Sequence, residues 1–337
     1  MDLISIAELR ALAAGGRAEA RIHGQVESVR QKETRDGKPY FELTLTDASQ
    51  RATLRAWSDS PAFDFCARRR PGEFLEISGE FSSNSFGLDS KRWQGRPLEP
   101  EEREALMAGP EALRNKQRAD FETILEAVSE IADPRLKQLA DLFLAEHGNR
   151  FRRTAAARTY HHARRGGLVE HVAQMMRIAR AICPLFPDIN RDLLAAGILL
   201  HDAGKLWENN LPDDGFTMPF DERGELLGHI TIGIELVNAL WRKLPLAEWQ
   251  LLEPASEDVR LHLLHLIAAH HGGNEFGSPV DPKTPEAWAL HHIDNLDAKL
   301  EMILAGYGQA TQLAPRIFER VRPLPGNLVL PLAHFKP

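Results

Sequence analysis

The feature that most constrains this chain is a single change of hydrophobic period. Up to about residue 95, apolar and polar side chains alternate in short runs; from Phe121 to about residue 305 the apolar ones recur at three- and four-residue intervals. A period of two suits sheet and a period near 3.6 suits helix. The 337 residues leave room for about two domains of roughly 150 residues each. The expectation is therefore a multidomain protein, with β structure first and an all-α bundle after it.

In the first part, strands are expected over residues 21–29, around Phe41, Leu43 and Leu45, around Ala52, Leu54 and Ala56, and over residues 74–81 and 86–93. Turn signals at residues 36–39 and 47–50 separate them. Five short strands in under 100 residues point to a small closed barrel, and the OB-fold is the commonest such barrel that holds single-stranded nucleic acid. Aromatic and basic residues interleave there: Arg55 with Trp57, Lys38 near Tyr40, Arg92 beside Trp93. Most such rings plug the barrel. At least one is expected to stack a base, with Trp57 as the candidate. The expected divisions are 1–98 for the barrel, 99–120 for an acidic linker, 121–310 for the helical domain and 311–337 for a Pro-rich, irregular tail packed along the helices.

Composition narrows the class. Hydrophobic residues make up 43% and charged residues 26%, ordinary values that do not favour disorder. Two cysteines, Cys66 and Cys183, cannot form a disulfide framework; no secretory leader precedes Ile4, and the longest apolar runs fall short of a membrane span. A soluble cytoplasmic protein with no membrane partner is expected. The net charge of −7 disfavours nucleic acid, yet residues 1–98 carry 15 basic and 14 acidic side chains. Between Glu146 and Glu170 there is no acid, while Arg150, Arg152, Arg153, Arg158, Arg164 and Arg165 fall there. Such a run is either a solvated face or a phosphate track.

Of the 14 histidines, 11 lie between residues 161 and 292. A ligand in a helical bundle should lie on the core-facing stripe of its helix. His171 falls on the stripe of Leu168, Val172, Met175, Ala179 and Ile182, and His201-Asp202 continue that of Leu194 and Ile198. His229 leads into Gly233, Leu236, Val237 and Leu240; His270 follows Leu263, Leu266 and Ile267; Asp294 and Asp297 share the stripe of Leu290, Ile293, Leu300 and Leu304. Any one of these could be a hydrogen-bonded core residue. All of them aimed inward on five helices point to a shared cation. His265 points away, His262 is marginal, and His23, His147 and His334 carry no signal.

The order His171, His201-Asp202 with Lys205, His229, His270-His271 and Asp294 resembles the HD-domain metal-dependent phosphohydrolases. The segments His161-His-Ala-Arg-Arg-Gly-Gly-Leu-Val-Glu-His171, Leu199-Leu-His-Asp-Ala-Gly-Lys205, Leu227-Gly-His-Ile230, Ala269-His-His-Gly-Gly273 and Ile293-Asp-Asn-Leu-Asp-Ala-Lys299 are similar to those of the YhaM-type 3′-5′ exoribonucleases, which also place an OB-fold first. The resemblance extends to Asp36-Gly-Lys-Pro-Tyr-Phe41 and Leu45-Thr-Asp47, and covers about residues 17–305. Within it the Arg164-Arg165 pair, and beyond it the Pro-rich tail, are departures that the family pattern does not match.

The resemblance implies one ion held by His171, His201, Asp202 and Asp294, and a second held by Asp202, His229 and His270 with His271. Only the family pattern separates Asp294 from Asp297. Mixed imidazole and carboxylate ligation favours Mn²⁺, with Fe²⁺, Co²⁺ or Zn²⁺ as alternatives. Asp202 and Lys205 would be catalytic, Lys205 by neutralising charge on a phosphoryl oxygen. His161 and His162 would contact the substrate or cap a helix, and Arg152, Arg153, Arg164 and Arg165 would hold the strand backbone. The implied activity is release of nucleoside 5′-monophosphates from the 3′ end of single-stranded RNA, and of single-stranded DNA as well. A homo-oligomer is compatible with this. Two alternatives stand: a phosphohydrolase of small nucleotides, which leaves the barrel without a purpose, and a non-catalytic nucleic-acid-binding protein that binds no metal.

Overall fold

The computed structural model describes residues 1–84, 87–90 and 92–335. The N-terminal part is antiparallel sheet around one hydrophobic cluster. In chain order its elements are β1 (Asp2–Leu3), α1 (Ile6–Ala14), β2 (Ala18–Glu33), β3 (Pro39–Thr46), β4 (Arg51–Trp57), α2 (Pro61–Ala67), β5 (Phe74–Asn84), β6 (Gly87–Asp89) and β7 (Trp93–Pro97). The ladder runs β4-β3-β2-β5-β6, with β7 on β5 and β1 parallel to β2. β2 is 16 residues long and carries a register shift between Val26 and Ser28, so it bends while pairing β5 with its first half and β3 with its second. The inward residues Ile22, Val26, Leu43, Leu45, Leu54, Leu75 and Ile77 are fully buried, and α1 closes one end with Ile6 and Leu9.

The sheet is OB-like, but it is not the closed barrel that the strand count suggested. β4 and β6 touch without sharing a ladder among the described residues. The fifth strand, expected over residues 86–93, is divided into β6 and β7; Phe86 and Lys91 lie outside the described residues. The division follows from Trp93, which is buried and donates from Nε1 to the Arg55 carbonyl at 3.0 Å, starting a new strand against the first half of β5.

The acidic stretch after the sheet is helical. α3 (Pro100–Ala108) precedes α4 (Glu111–Ser129), and α4 runs straight through the boundary expected at residue 120. Its Asp120 is buried and paired with Lys116 at 2.7 Å and Arg177 at 2.5 Å, so α4 packs on a later helix rather than bridging solvent. There follow α5 (Pro134–Phe151), α6 (Gly167–Ile182), α7 (Arg191–Leu200), α8 (Lys205–Glu208), α9 (Glu222–Trp241), α10 (Ser256–Ala269) and α11 (Pro285–Gln309). They surround a second cluster built on Leu136, Leu139, Phe143, Leu168, Val172, Leu194, Ile198, Leu263 and Leu290. One expected face shifts. Leu300 and Leu304 of α11 are 51% and 65% exposed. Beyond Ile293 the inward face of α11 passes through Asp297, Ala298 and Met302 instead.

That rotation makes a seat for the tail. β8 (Gln312–Ala314), β9 (Ile317–Phe318) and β10 (Leu328–Val329) form a small sheet, where an irregular tail was expected, and Leu324 and Leu328 pack on Ala298 and Met302. Lys336 and Pro337 lie outside the described residues. Among the described residues no helix is long and apolar enough to cross a membrane.

One loop, residues 209–221, joins the two parts. Gln25 Oε1 of β2 accepts from Phe216 N at 2.6 Å and Thr217 N at 3.2 Å, and Arg103 reaches Asp214 at 3.1 Å. Replacing Gln25 by Ala leaves two loop N–H groups unpaired, one of them buried. The expected cost is about 1–3 kcal/mol in urea unfolding, with faster hydrogen exchange across residues 209–221. Unchanged exchange there would show that the loop is held by other means.

Candidate metal centre

Five helices bring their polar groups to one place because each ligand sits at a helix end or on a buried stripe. His171 faces inward from the first turns of α6, between Leu168 and Met175. α7 ends at His201, and the turn through Asp202 and Ala203 leads into α8. At Gly204 a Cβ would lie 1.9 Å from the His229 carbonyl oxygen, so only glycine lets this turn pack on α9. α9 is itself broken at Gly228 (φ +68), which lets His229 begin a fresh helical run whose Ile232, Leu236 and Val237 are in the core. α10 ends at His270, and Asp294 and Asp297 lie on α11.

The imidazoles form a continuous chain. Ring centroids are 5.5 Å apart for His171 and His201, 5.0 Å for His201 and His270, 5.6 Å for His229 and His270, and 4.2 Å for His270 and His271. Asp202 sits among them. Its Oδ1 is 3.7 Å from His229 Nε2 and 3.6 Å from His270 Nε2, while its Oδ2 is 3.3 Å from His201 Nε2 and 2.7 Å from Lys205 Nζ. Asp294 Oδ1 lies 3.2 Å from His171 Nε2. Among the described residues four sets have ligand atoms close enough together to hold an ion: His171, His201 and Asp202, and His229, His270 and His271, around Asp202; His162, His171 and Asp297 behind them; and His23, Glu76 and Glu102 away from the cluster.

The donor set fits divalent metal. In His201 and His270, Nδ1 lies 2.8 and 2.7 Å from the Ile198 and Ile267 carbonyl oxygens, so it must carry the proton. Nε2 is then a bare lone pair. The Nε2 atoms of His171, His201, His229 and His270, together with Asp202 Oδ1, are buried and have no hydrogen-bond partner among the described residues. Lone pairs facing one another in a dry interior are costly, and a cation satisfies them together.

Charge states agree with this. Burial opposes ionisation of Asp202, but the Lys205 ammonium holds its carboxyl well below the usual range. Burial and neighbouring histidines push His270 down, keeping it neutral as a ligand must be. His171 is the exception. Burial disfavours its charge, yet Asp294 and Asp297 raise it to about 9, so a proton there neutralises two carboxylates that a cation would otherwise serve.

The other expected site residues fall into three groups. His161 adjoins the cluster, its ring 5.5 Å from His171, and burial pushes it down to about 3. His162 was expected to meet substrate or cap a helix; it is buried at φ +47, with Nε2 3.1 Å from Asp297 Oδ2, and acts behind His171. The arginine track is mostly occupied within the chain. Arg164 binds Glu170 at 2.6 Å and Glu301 at 3.1 Å; Arg153 binds the Leu211 carbonyl at 2.9 Å and Asp213 at 2.8 Å; Arg165 binds the Pro212 and Gly215 carbonyls at 2.7 and 3.2 Å. Arg164 pairs with Glu170 at the end of the run and with the distant Glu301, and Arg153 and Arg165 are taken by residues 211–215, partners that an acid-free run conceals. Arg152 stays exposed, over the Phe121 ring at 4.9 Å. Trp57 is on the sheet, half-buried, 4.9 Å from Tyr40 across the β3–β4 ladder.

Two residues close to the cluster gave no sequence signal. Glu208 Oε2 lies 2.7 Å from His229 Nδ1, and His291 Nδ1 is 2.9 Å from the His270 carbonyl oxygen.

Comparison with known proteins agrees with this layout. The HD domain matches residues 168–299, a stretch that holds His171, the His201-Asp202 pair, His229, His270 and Asp294. The chain is 32% identical over 289 residues to 3′-5′ exoribonuclease YhaM of Bacillus subtilis (strain 168), covering 86% of this chain and 84% of that protein. Among solved structures, the second OB-fold domain of replication protein A from Methanococcus maripaludis is 19% identical, covering 29% of this chain and 96% of that one, with a TM-score of 0.22. The replication factor A related protein from Methanobacterium thermoautotrophicum is 16% identical over 29% of this chain and 92% of that one, at 0.23. At such scores the architecture of the sheet stands on its own strand pairing.

Substituting Gly204 by Ala should force the turn away from His229. The expected outcome is about 1–3 kcal/mol lower stability in metal-free thermal unfolding and weaker Mn²⁺ binding. Wild-type metal affinity in that variant would mean that the close approach does not position His229.

Proposed function

The chain belongs to the family of the 3′-5′ exoribonuclease YhaM, and on that premise we propose that it releases nucleoside 5′-monophosphates from the 3′ end of single-stranded RNA, single-stranded DNA being accepted as well. The observation that carries this is the ring of bare imidazole nitrogens around the buried Asp202 carboxylate. His171, His201, Asp202 and Asp294 would hold one divalent ion. Asp202, His229, His270 and His271 would hold another. Such ions supply Lewis acidity toward phosphoryl oxygens and acidify water at neutral pH. Imidazole-rich ligation with carboxylates favours Mn²⁺ over Mg²⁺ or Ca²⁺.

The chain's own groups do the rest. Lys205 Nζ, held 2.7 Å from Asp202 Oδ2 and largely buried, has a fixed position from which to meet a non-bridging phosphoryl oxygen as charge builds there. His161, kept neutral by burial, is placed to donate to or accept from the terminal phosphate or ribose. Arg152 is the member of the expected track left to meet the strand backbone. Residues 1–98 would grip the strand without sequence preference, with Trp57 and Tyr40 as the stacking pair, and residues 121–310 would hydrolyse it. The small sheet β8–β10 packs on α11. Two unpaired, buried cysteines support a reducing, cytoplasmic setting, and the exposed Leu300 and Leu304 offer apolar area for assembly with a second copy.

A time course on 5′-labelled RNA with Mn²⁺ and with chelator tests the reading. A ladder shortening from the 3′ end only with metal is expected. His201→Ala and Asp202→Ala should each lower the rate by about 10³-fold or more while strand binding, measured by fluorescence anisotropy, stays close to wild type. Internal cleavage, or hydrolysis that persists in both variants, would overturn it.

A further inference from the structure

The cluster histidines divide by what holds Nδ1. In His201 and His270 the partner is the backbone carbonyl three residues earlier, Ile198 and Ile267, the same device at the ends of α7 and α10. In His271 it is the Phe276 carbonyl at 2.9 Å. Only His171 and His229 differ, each facing a carboxylate: Asp297 Oδ2 at 2.7 Å and Glu208 Oε2 at 2.7 Å. These two belong to different ligand sets: His171 lies with His201 and Asp202, and also within reach of His162 and Asp297, while His229 lies with His270 and His271.

We propose that Asp297 and Glu208 are positioning residues that set the affinities of two separate ion positions, one carboxylate to each. This rests on the metal-dependent reading above. A carbonyl fixes only the tautomer of an imidazole. A carboxylate also makes a charge-assisted bond and raises the basicity of the far nitrogen, so the imidazole it backs binds a cation more tightly. Asp297 is held at its carboxylate, and Glu208 through its backbone. Asp297 Oδ2 is shared with His162 Nε2 at 3.1 Å. The Glu208 carbonyl accepts from Arg158 Nη2 at 2.6 Å, and Arg158 also bonds the Met218 carbonyl at 3.1 Å and the Pro219 carbonyl at 2.9 Å. Glu208 is thus fixed by the far end of the loop that Gln25 fastens to β2.

The test is Mn²⁺ titration calorimetry on the full chain, with bound metal counted by elemental analysis. Wild type is expected to take two ions. Glu208→Gln keeps an oxygen for Nδ1–H but loses the charge, and should weaken one position by about 10–100-fold with metal-free melting unchanged. In a His229→Ala background the same substitution should have no further effect, whereas in His171→Ala it should retain its full effect. Asp297→Asn should give the mirror pattern; should that variant fail to fold, the Glu208→Gln series alone decides for Glu208. Wild-type affinity at both positions in Glu208→Gln, or equal losses at both, would overturn the proposal while two ions in wild type leave the metal reading intact. A wild-type chain that takes up no Mn²⁺ and still folds would sink the metal reading itself.

Discussion

The helical half is organised around one buried charge. Asp202 is 2% exposed, and removing a carboxylate from water costs several kcal/mol unless its oxygens are compensated. Lys205 compensates one oxygen directly. The other faces two imidazole nitrogens, and among the described residues nothing donates to it. The helix ends of α7 and α10, the break at Gly228 and the missing side chain at Gly204 all exist to bring those nitrogens there. A cation turns this otherwise repulsive arrangement into a coordination site, and metal binding then contributes to folding stability as well as to chemistry.

The cluster was legible in the sequence because a ligand on a helical bundle must share the stripe that its helix buries. His171, His201, Asp202, His229 and His270 obey that rule, and the structure brings them together. What orients them was not legible. The carbonyls of Ile198 and Ile267 are backbone atoms that any residue would supply. Glu208 lies on a four-residue helix after an irregular turn, where no periodicity points inward. Asp294 and Asp297 share a stripe, and only contact separates them: Asp294 meets His171 at Nε2 and Asp297 meets it at Nδ1.

Charge patterning misled where periodicity did not. A run of arginines without a nearby acid looks free, but side-chain pairing is decided in space. Glu301 reaches Arg164 from α11, more than a hundred residues away, and the 211–215 backbone takes Arg153 and Arg165. The sheet shows the same limit. Alternation located β2, β3, β4 and β5, but closure and the division of the last strand depended on a buried indole reaching across to Arg55.

These two outcomes together change how a strand would be held. With Arg153, Arg164 and Arg165 spent on internal partners, few of the expected cations remain to displace counterions from phosphates, so electrostatic grip on the backbone is smaller than the sequence implied. Arg153 and Arg165 instead fix residues 211–215, and Arg158 fixes 218–219, on either side of the Phe216 and Thr217 amides that Gln25 holds from the sheet. The loop is therefore restrained at closely spaced points by both halves, and the Arg158 anchor also bears on Glu208. Charge that the sequence offered as a surface for nucleic acid is used to hold the strand-binding candidate in register with the metal ligands. An exonuclease that must feed successive phosphates to one fixed centre gains more from that rigidity than from a few additional phosphate contacts.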